Sequence, residues 1–295
     1  MATALPGPLD PLLPPEIERE IFECAALSHP KSIPALLLIA QRVKIWIEPR
    51  LYRIISVDAL NSPHGISKKA FLERLESRPA SFWRDHVRHL SLGRVQVSHE
   101  EAVRIFSACS GVSSIAQFYG GFGPTSLPSM AVMPLVRLST HLGNLFGTEN
   151  IDFGHPVFAH LTHMDLFDTT APDSWSVGLG RLPCLTHISF NFPDFWVRHG
   201  VLFRGILAHC TLLDVFALIC VHQLELHTSW MSAYGWFSED PRTVLMVSEH
   251  YVRAWDLGAE GGDDFWVRAK HFIKQRKAGE IKASDYVLRL ESVEP

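Results

Sequence analysis

The sequence predicts an α/β fold in which a short helical segment is followed by an irregular repeat of strands and helices, closed by a C-terminal block. Three observations lead to this expectation. Apolar residues fall at helical spacing between prolines from Leu13 to Trp46. A strand-like motif then recurs between Arg84 and Val221, with helical stretches between several of its copies. After residue 226 the motif fades, and the chain closes with one more apolar strand, a glycine loop and a helix.

Residues 1–11 contain Pro6, Gly7, Pro8 and Pro11 and have little to bury, so a disordered lead-in is expected there. From Leu13 the pattern turns helical. Pro14 and Pro15 suit a first helical turn, Glu16 and Glu18 complement its dipole, and Ile17, Ile21, Phe22 and Ala25 follow at helical spacing. His29 and Pro30 break that helix. A second is expected after Pro34, running through Leu36, Ile39, Val43 and Trp46 until Pro49 stops it. The β-branched run Ile54–Val57 reads as a first strand, so the helical segment is set at residues 12–58. Lys68–Glu76 reads as a helix.

Residues 59–226 hold the repeat. In its clearest copies, Phe158, Leu161, Met164 and Leu166 match Leu182, Leu185, Ile188 and Phe190, and the two share Leu-Thr-His at 161–163 and 185–187, 24 residues apart. Weaker copies surround Leu90, Ile115 and Val215. The spacing is that of a leucine-rich-repeat strand. With helices expected over Glu100–Cys109 and Val201–Cys210, the region reads as a curved α/β solenoid, in which each unit buries its apolar face against its neighbours. Residues 227–295 read as a cap on its open end. There Thr243–Val247 is a buried strand, Gly258–Gly262 a loop, Asp263 or Asp264 a helix N-cap and Gly279 the helix end.

Composition narrows the function. At 295 residues and 47% hydrophobic, the chain is too large for a disulfide or metal scaffold. A net charge of −4, from 27 basic and 31 acidic residues, offers no sequence-wide attraction to nucleic acid or to an anionic membrane surface. Five scattered cysteines without a CxxC pair fit buried free thiols. No apolar run has the length of a signal peptide or a membrane span, so a cytoplasmic or nuclear location is expected.

The opening Leu13-Pro14-Pro15-Glu16-Ile17, followed by Ile21-Phe22, Val43, Trp46 and Leu51-Tyr52, resembles the F-box, a short helical motif that links substrate-binding proteins to the Skp-type adaptor of SCF ubiquitin ligases. The whole chain is similar to a group of fungal F-box-like proteins with degenerate leucine-rich repeats, whose C-terminal blocks are like Trp255–Ile281 here. The resemblance implies a protein-interaction adaptor: Leu13, Pro14, Ile17, Val43 and Trp46 would dock on the Skp-type adaptor, and the repeat body would hold an unknown protein target. Catalysis would then belong to the partner ligase, with no cofactor on this chain.

Other motifs point to structure. His160 with His163, and His86 with His89, are three apart in extended chain and point to opposite faces, so neither pair is expected to share a metal ion. The Thr-His pairs are expected at strand ends, half exposed. Gly120–Gly123 lacks the lysine of a phosphate loop, and Lys274–Lys277 reads as a solvated helix end. Among eight tryptophans, Trp175, Trp196 and Trp230 follow repeat strands, where solenoids often bind partners, and are the candidates for target binding.

Overall fold

A computed structural model of the protein describes residues 13–59, 62–93, 96–120, 122–191, 199–220, 235–248 and 251–290. It divides into two compact units, Met1–Arg53 and Ile54–Pro295.

In the first unit, helix α1 (Pro15–Ser28) opens on Pro14 and Pro15 and carries Glu16 and Glu18 in its first turn, as the sequence suggests. The expected second helix is two helices, α2 (Ile33–Leu36) and α3 (Gln41–Leu51), because Ala40 is fully extended at φ −159° and ψ 154°. Nothing in the local residue types marks that break. Pro49 lies inside α3 rather than ending it; so close to the C-cap Tyr52, its missing N–H costs a single bond near the helix end. Ala26, Ile33, Val43 and Ile47 form the core, with Phe22, Leu36, Leu37, Ala40 and Trp46 packed around it.

The second unit is built on a ten-stranded parallel sheet in the order β10-β9-β8-β7-β6-β5-β4-β3-β1-β2. The strands are β1 (Ile54–Val57), β2 (Gly65–Ile66), β3 (His89–Ser91), β4 (Ser114–Ala116), β5 (Arg137–Thr140), β6 (His163–Leu166), β7 (His187–Asn191), β8 (Val215–Cys220), β9 (Thr243–Val247) and β10 (Val287–Arg289). From β4 onward each strand joins beside its predecessor. The five motif copies are β3, β4, β6, β7 and β8, and the 24-residue period is the register itself, pairing His163 with His187 and Met164 with Ile188. Strand β1, expected at the end of the helical segment, pairs with β3 and belongs to this unit.

The helices between strands are α4 (Lys68–Ser77), α5 (Ala80–His86), α6 (His99–Ala108), α7 (Leu127–Met130), α8 (Leu142–Phe146), α9 (Trp175–Leu179), α10 (Gly200–His209) and α11 (Gly235–Glu239). Local chemistry fixes their starts. Ser67 accepts the Ala70 N–H, and Ser98 with Glu101 makes a reciprocal capping box, each satisfying N–H groups that a helix start leaves orphaned.

Side chains alternate across a strand, so register sorts the sheet into two unlike faces. One face carries the row Ile55, Leu90, Ile115, Leu138, Met164, Ile188 and Phe216, and Phe203 of α10 packs there against Phe190 and Phe216. The other face carries His89, Ser114, Arg137, His163 and His187 in one row, and Ser91, Ala116, Ser139, Asp165 and Ser189 in the next.

That second face is covered. The expected cap supplies β9 and β10 at the sheet edge, while its helices α12 (Tyr251–Ala259) and α13 (Phe265–Ala278) lie across the polar rows. Ser56 on β1 donates to Asp256 at 2.8 Å, Trp255 stands edge-on to His89, Arg137 pairs with Asp264 at 2.7 Å, and Trp266 stands edge-on to both His163 and His187. Asp264 is the N-cap of α13, and left-handed Gly279 (φ 77°) ends it. Arg276, expected at a solvated helix end, is instead buried and donates to the carbonyls of Thr243, Ser238 and Ala283, tying α13 to β9 and to the chain before β10. Burial lowers its pKa below the usual arginine value.

Candidate functional sites

The first unit presents an apolar face on α1. Leu13 and Ile17 are 44% and 46% exposed, and Ile21, one turn on, is 51% exposed. Pro14 is exposed beside them. The spacing of four places Ile17 and Ile21 on one side of the helix, while Phe22 and Ala26 turn toward the core. Two proposed anchors sit elsewhere: Val43 is fully buried in that core, and Trp46 is half-buried against it. Val43 therefore holds the helices together beneath the face instead of contributing to it. A second set of exposed residues, Leu38, Ile39 and Ile45, was not singled out from sequence, because they share an apolar run with the residues that build the core.

Charge pairs fix the helices. Arg42 on α3 grips the Glu18 carboxylate with two N–H groups, at 2.7 and 2.6 Å, and this holds Glu18 below the usual carboxylate range. Glu23 accepts from Arg19 and Arg50 and is lowered in the same way.

In the second unit, a polar cleft of about 540 Å³ opens beyond the C-terminal ends of β5 and β6, the edge of a parallel sheet at which ligands commonly bind. His141, Asn144, Glu149, Asp168, Thr170 and Trp175 line it. The Asp168 oxygens accept N–H groups of Leu142 and Gly143 at 2.7 and 2.8 Å, yet burial outweighs these bonds and pushes the carboxyl up to about 6. Burial also lowers the pKa of His141. Glu149 accepts the Thr170 hydroxyl through its side chain and the Trp175 indole N–H through its carbonyl. Trp175 is thus a buried wall of the cleft, 2% exposed, and not a free aromatic anchor. Trp196 and Trp230 lie outside the described residues.

The shared Leu-Thr-His now has a physical meaning. Thr162 and Thr186 donate to the carbonyls of Val136 and Thr162, each just before the preceding strand, at 3.2 Å each, and each hydroxyl also lies 2.7 Å from Nδ1 of the following histidine. With the threonine proton given to the carbonyl, the histidine Nδ1–H donates to the hydroxyl. The rings of His163 and His187 stack at 4.1 Å. Thr162, His163 and Thr186 are half-buried at the strand ends as expected, whereas His187 is buried, and Trp266 stands edge-on over both rings. Burial depresses their pKa values to about 2 and about 4. Beside them Asp165 is 1% exposed and pushed up to about 7 by burial.

Among the described residues no group of three or more His, Cys, Asp or Glu side chains is arranged to hold a metal ion, and no helix is long and apolar enough to cross a membrane. All five cysteines are free. Cys109, Cys210 and Cys220 are buried as expected, Cys184 is partly so and Cys24 is exposed. No protein-family model matches the chain, and no curated protein matches it as a relative.

Proposed function

We propose that this chain is a protein-interaction adaptor whose first unit docks, through the α1 face of Leu13, Pro14, Ile17 and Ile21, on a Skp-type adaptor, while the second unit holds a protein target. On this reading it is a substrate-recognition subunit of an SCF-type ubiquitin ligase with no chemistry of its own, and the second unit is a degenerate leucine-rich-repeat-like solenoid. One observation carries the proposal. Large apolar side chains at the start of the F-box-like segment stay in water although the segment has a core beneath them, and exposed apolar clusters of this kind mark partner surfaces. The succession of parallel strands in chain order supports the solenoid reading.

The test is co-precipitation of the full chain with the Skp adaptor, comparing wild type with Ile17→Asp. Wild type is expected to recover the adaptor and the variant to lose it. Because Ile17 is half in water, the variant should keep the helical circular dichroism and melting temperature of the parent. No adaptor recovered by wild type would sink the ligase reading.

A second reading, a freestanding scaffold whose cleft binds a small ligand, draws on the position of His141 and Asp168 at the sheet edge. Both Asp168 oxygens are already held by backbone N–H groups, which favours a role in shaping the loop.

A further inference from the structure

The polar face of the sheet encloses a small cavity beneath α12 and α13, of about 20 Å³, with Asp165 and Ser139 on its floor and Trp255 and Trp266 in its roof. That is room for one water and little else. Asp165 is asymmetric within it. Its Oδ1 accepts the Ser189 hydroxyl at 2.6 Å, whereas Oδ2 is buried with no hydrogen-bond partner among the described residues. A buried, unpartnered carboxyl oxygen beside a water-sized space is a standing demand for a solvent molecule.

The surroundings also decide the charge of the group. From β5, Arg137 lines the cavity, but its guanidinium is paired with Asp264 at 2.7 Å. His163 on β6, the strand of Asp165 itself, and His187 on β7 are held neutral by burial. His89 on β3 lines the cavity from the far side, with Trp255 edge-on to it. Lys270 on α13 pairs with Asp214 at 3.0 Å in an exposed position. An ionised Asp165 would therefore be a buried negative charge opposite no uncommitted cation among the described residues, which is prohibitive in a dry interior.

We propose that Asp165 keeps its proton in the folded protein up to neutral pH and donates it to a single water held in this cavity beneath the α12–α13 pair. The inference is independent of the adaptor reading. The raised pKa of about 7 agrees with it: burial outweighs the hydroxyls of Ser189 and Ser139, which favour the ionised form. A carboxyl held protonated in the fold but ionised in the unfolded chain loses stability as pH rises from its ordinary value of 3.8 toward about 7, and contributes no further slope above that.

The experiment compares urea unfolding of the full chain and of Asp165→Asn between pH 4 and 8, together with a high-resolution crystal structure of wild type. The amide has the same shape and no proton to lose. Across that window the wild-type unfolding constant should rise relative to the variant by up to about tenfold per pH unit, and the ratio should be flat above pH 7. A water should lie within hydrogen-bond distance of Asp165 Oδ2. Ser189→Ala guards against a variant that does not fold. It leaves Asp165 in place, removes a hydroxyl that favours ionisation, and should move the upper end of the window to higher pH. Superimposable pH profiles for wild type and Asp165→Asn, an upper end unmoved by Ser189→Ala, or a dry cavity would each overturn the proposal.

Discussion

The two units dispose of their apolar residues in opposite ways. Of the fifteen large hydrophobic residues that are exposed among the described residues, eight lie within the first 53 positions, over a core of four buried side chains. The second unit is more than four times as long and leaves seven exposed, because both faces of its sheet are covered, one by the inter-strand helices and the other by α12 and α13. A unit that covers its own faces is stable alone, whereas a unit that leaves a helix face bare is shaped for something else to cover it.

The sharpest way to break this comparison is to place the same charge on the two sides of the first unit. Val43 is fully buried and Ile17 half exposed, although both were expected to face a partner. Val43→Asp buries an unpaired carboxylate and should cost more than about 4 kcal/mol, enough to unfold the segment. Ile17→Asp should stay within about 0.5 kcal/mol of the parent. Far-ultraviolet circular dichroism and limited proteolysis of the first 53 residues check both. Equal damage from the two substitutions would mean that the α1 face is part of the core after all.

In the second unit the corresponding prediction concerns the cover on the polar face. Trp266→Ala empties a large aromatic from the helix–sheet layer and should cost about 3–5 kcal/mol in chemical denaturation. It also uncovers His163 and His187. Their depressed values mean that the fold holds them neutral, so the stability they carry is present above the ordinary histidine value of 6.5 and is lost as pH falls below it. With the indole gone, both rings regain water and that acid loss should be shallower than in wild type. A variant that is as steep in acid as the parent would show that the burial comes from the sheet and not from α13.

How much of this was legible in the sequence follows from range. The α1 start, the α6 and α10 helices, the strand Thr243–Val247 and the caps Asp264 and Gly279 depend on neighbours a few residues away, and their signals are local. The repeat was visible wherever a strand alternates large apolar residues with others. Strand β5 escaped because Arg137-Leu138-Ser139-Thr140 has one large apolar side chain, its partners on the polar face being supplied by α12 and α13 more than a hundred residues later. The burial of His187 and Arg276 escaped for the same reason, as did the inward turn of Val43, which depends on the unmarked break at Ala40. Of the candidate site, the exposed opening of α1 could be read from the i, i+4 spacing of Leu13, Ile17 and Ile21. The cleft at β5 and β6 is assembled from loops 20 to 30 residues apart and left no local trace.

The smallest effect tests how α13 is anchored. Asp264 does two things at once: its Oδ1 accepts the Val267 N–H at 2.9 Å as an N-cap, and its Oδ2 pairs with Arg137. It also sits where a side chain at Gly258 would strike it, so α12 and α13 meet at this carboxylate. Asp264→Ala should cost about 1–2 kcal/mol, the upper end reflecting that Asp264 is itself buried. Arg137 is a third exposed and can turn to water, so its loss of a partner adds little. Asp264→Asn separates the two roles, because asparagine caps a helix as well as aspartate does but carries no charge. If capping dominates, Asn restores most of the loss and the first-turn amides of α13 keep their protection from hydrogen exchange. If the ion pair dominates, Asn falls with Ala, and the destabilisation of both shrinks as salt weakens the pair in wild type.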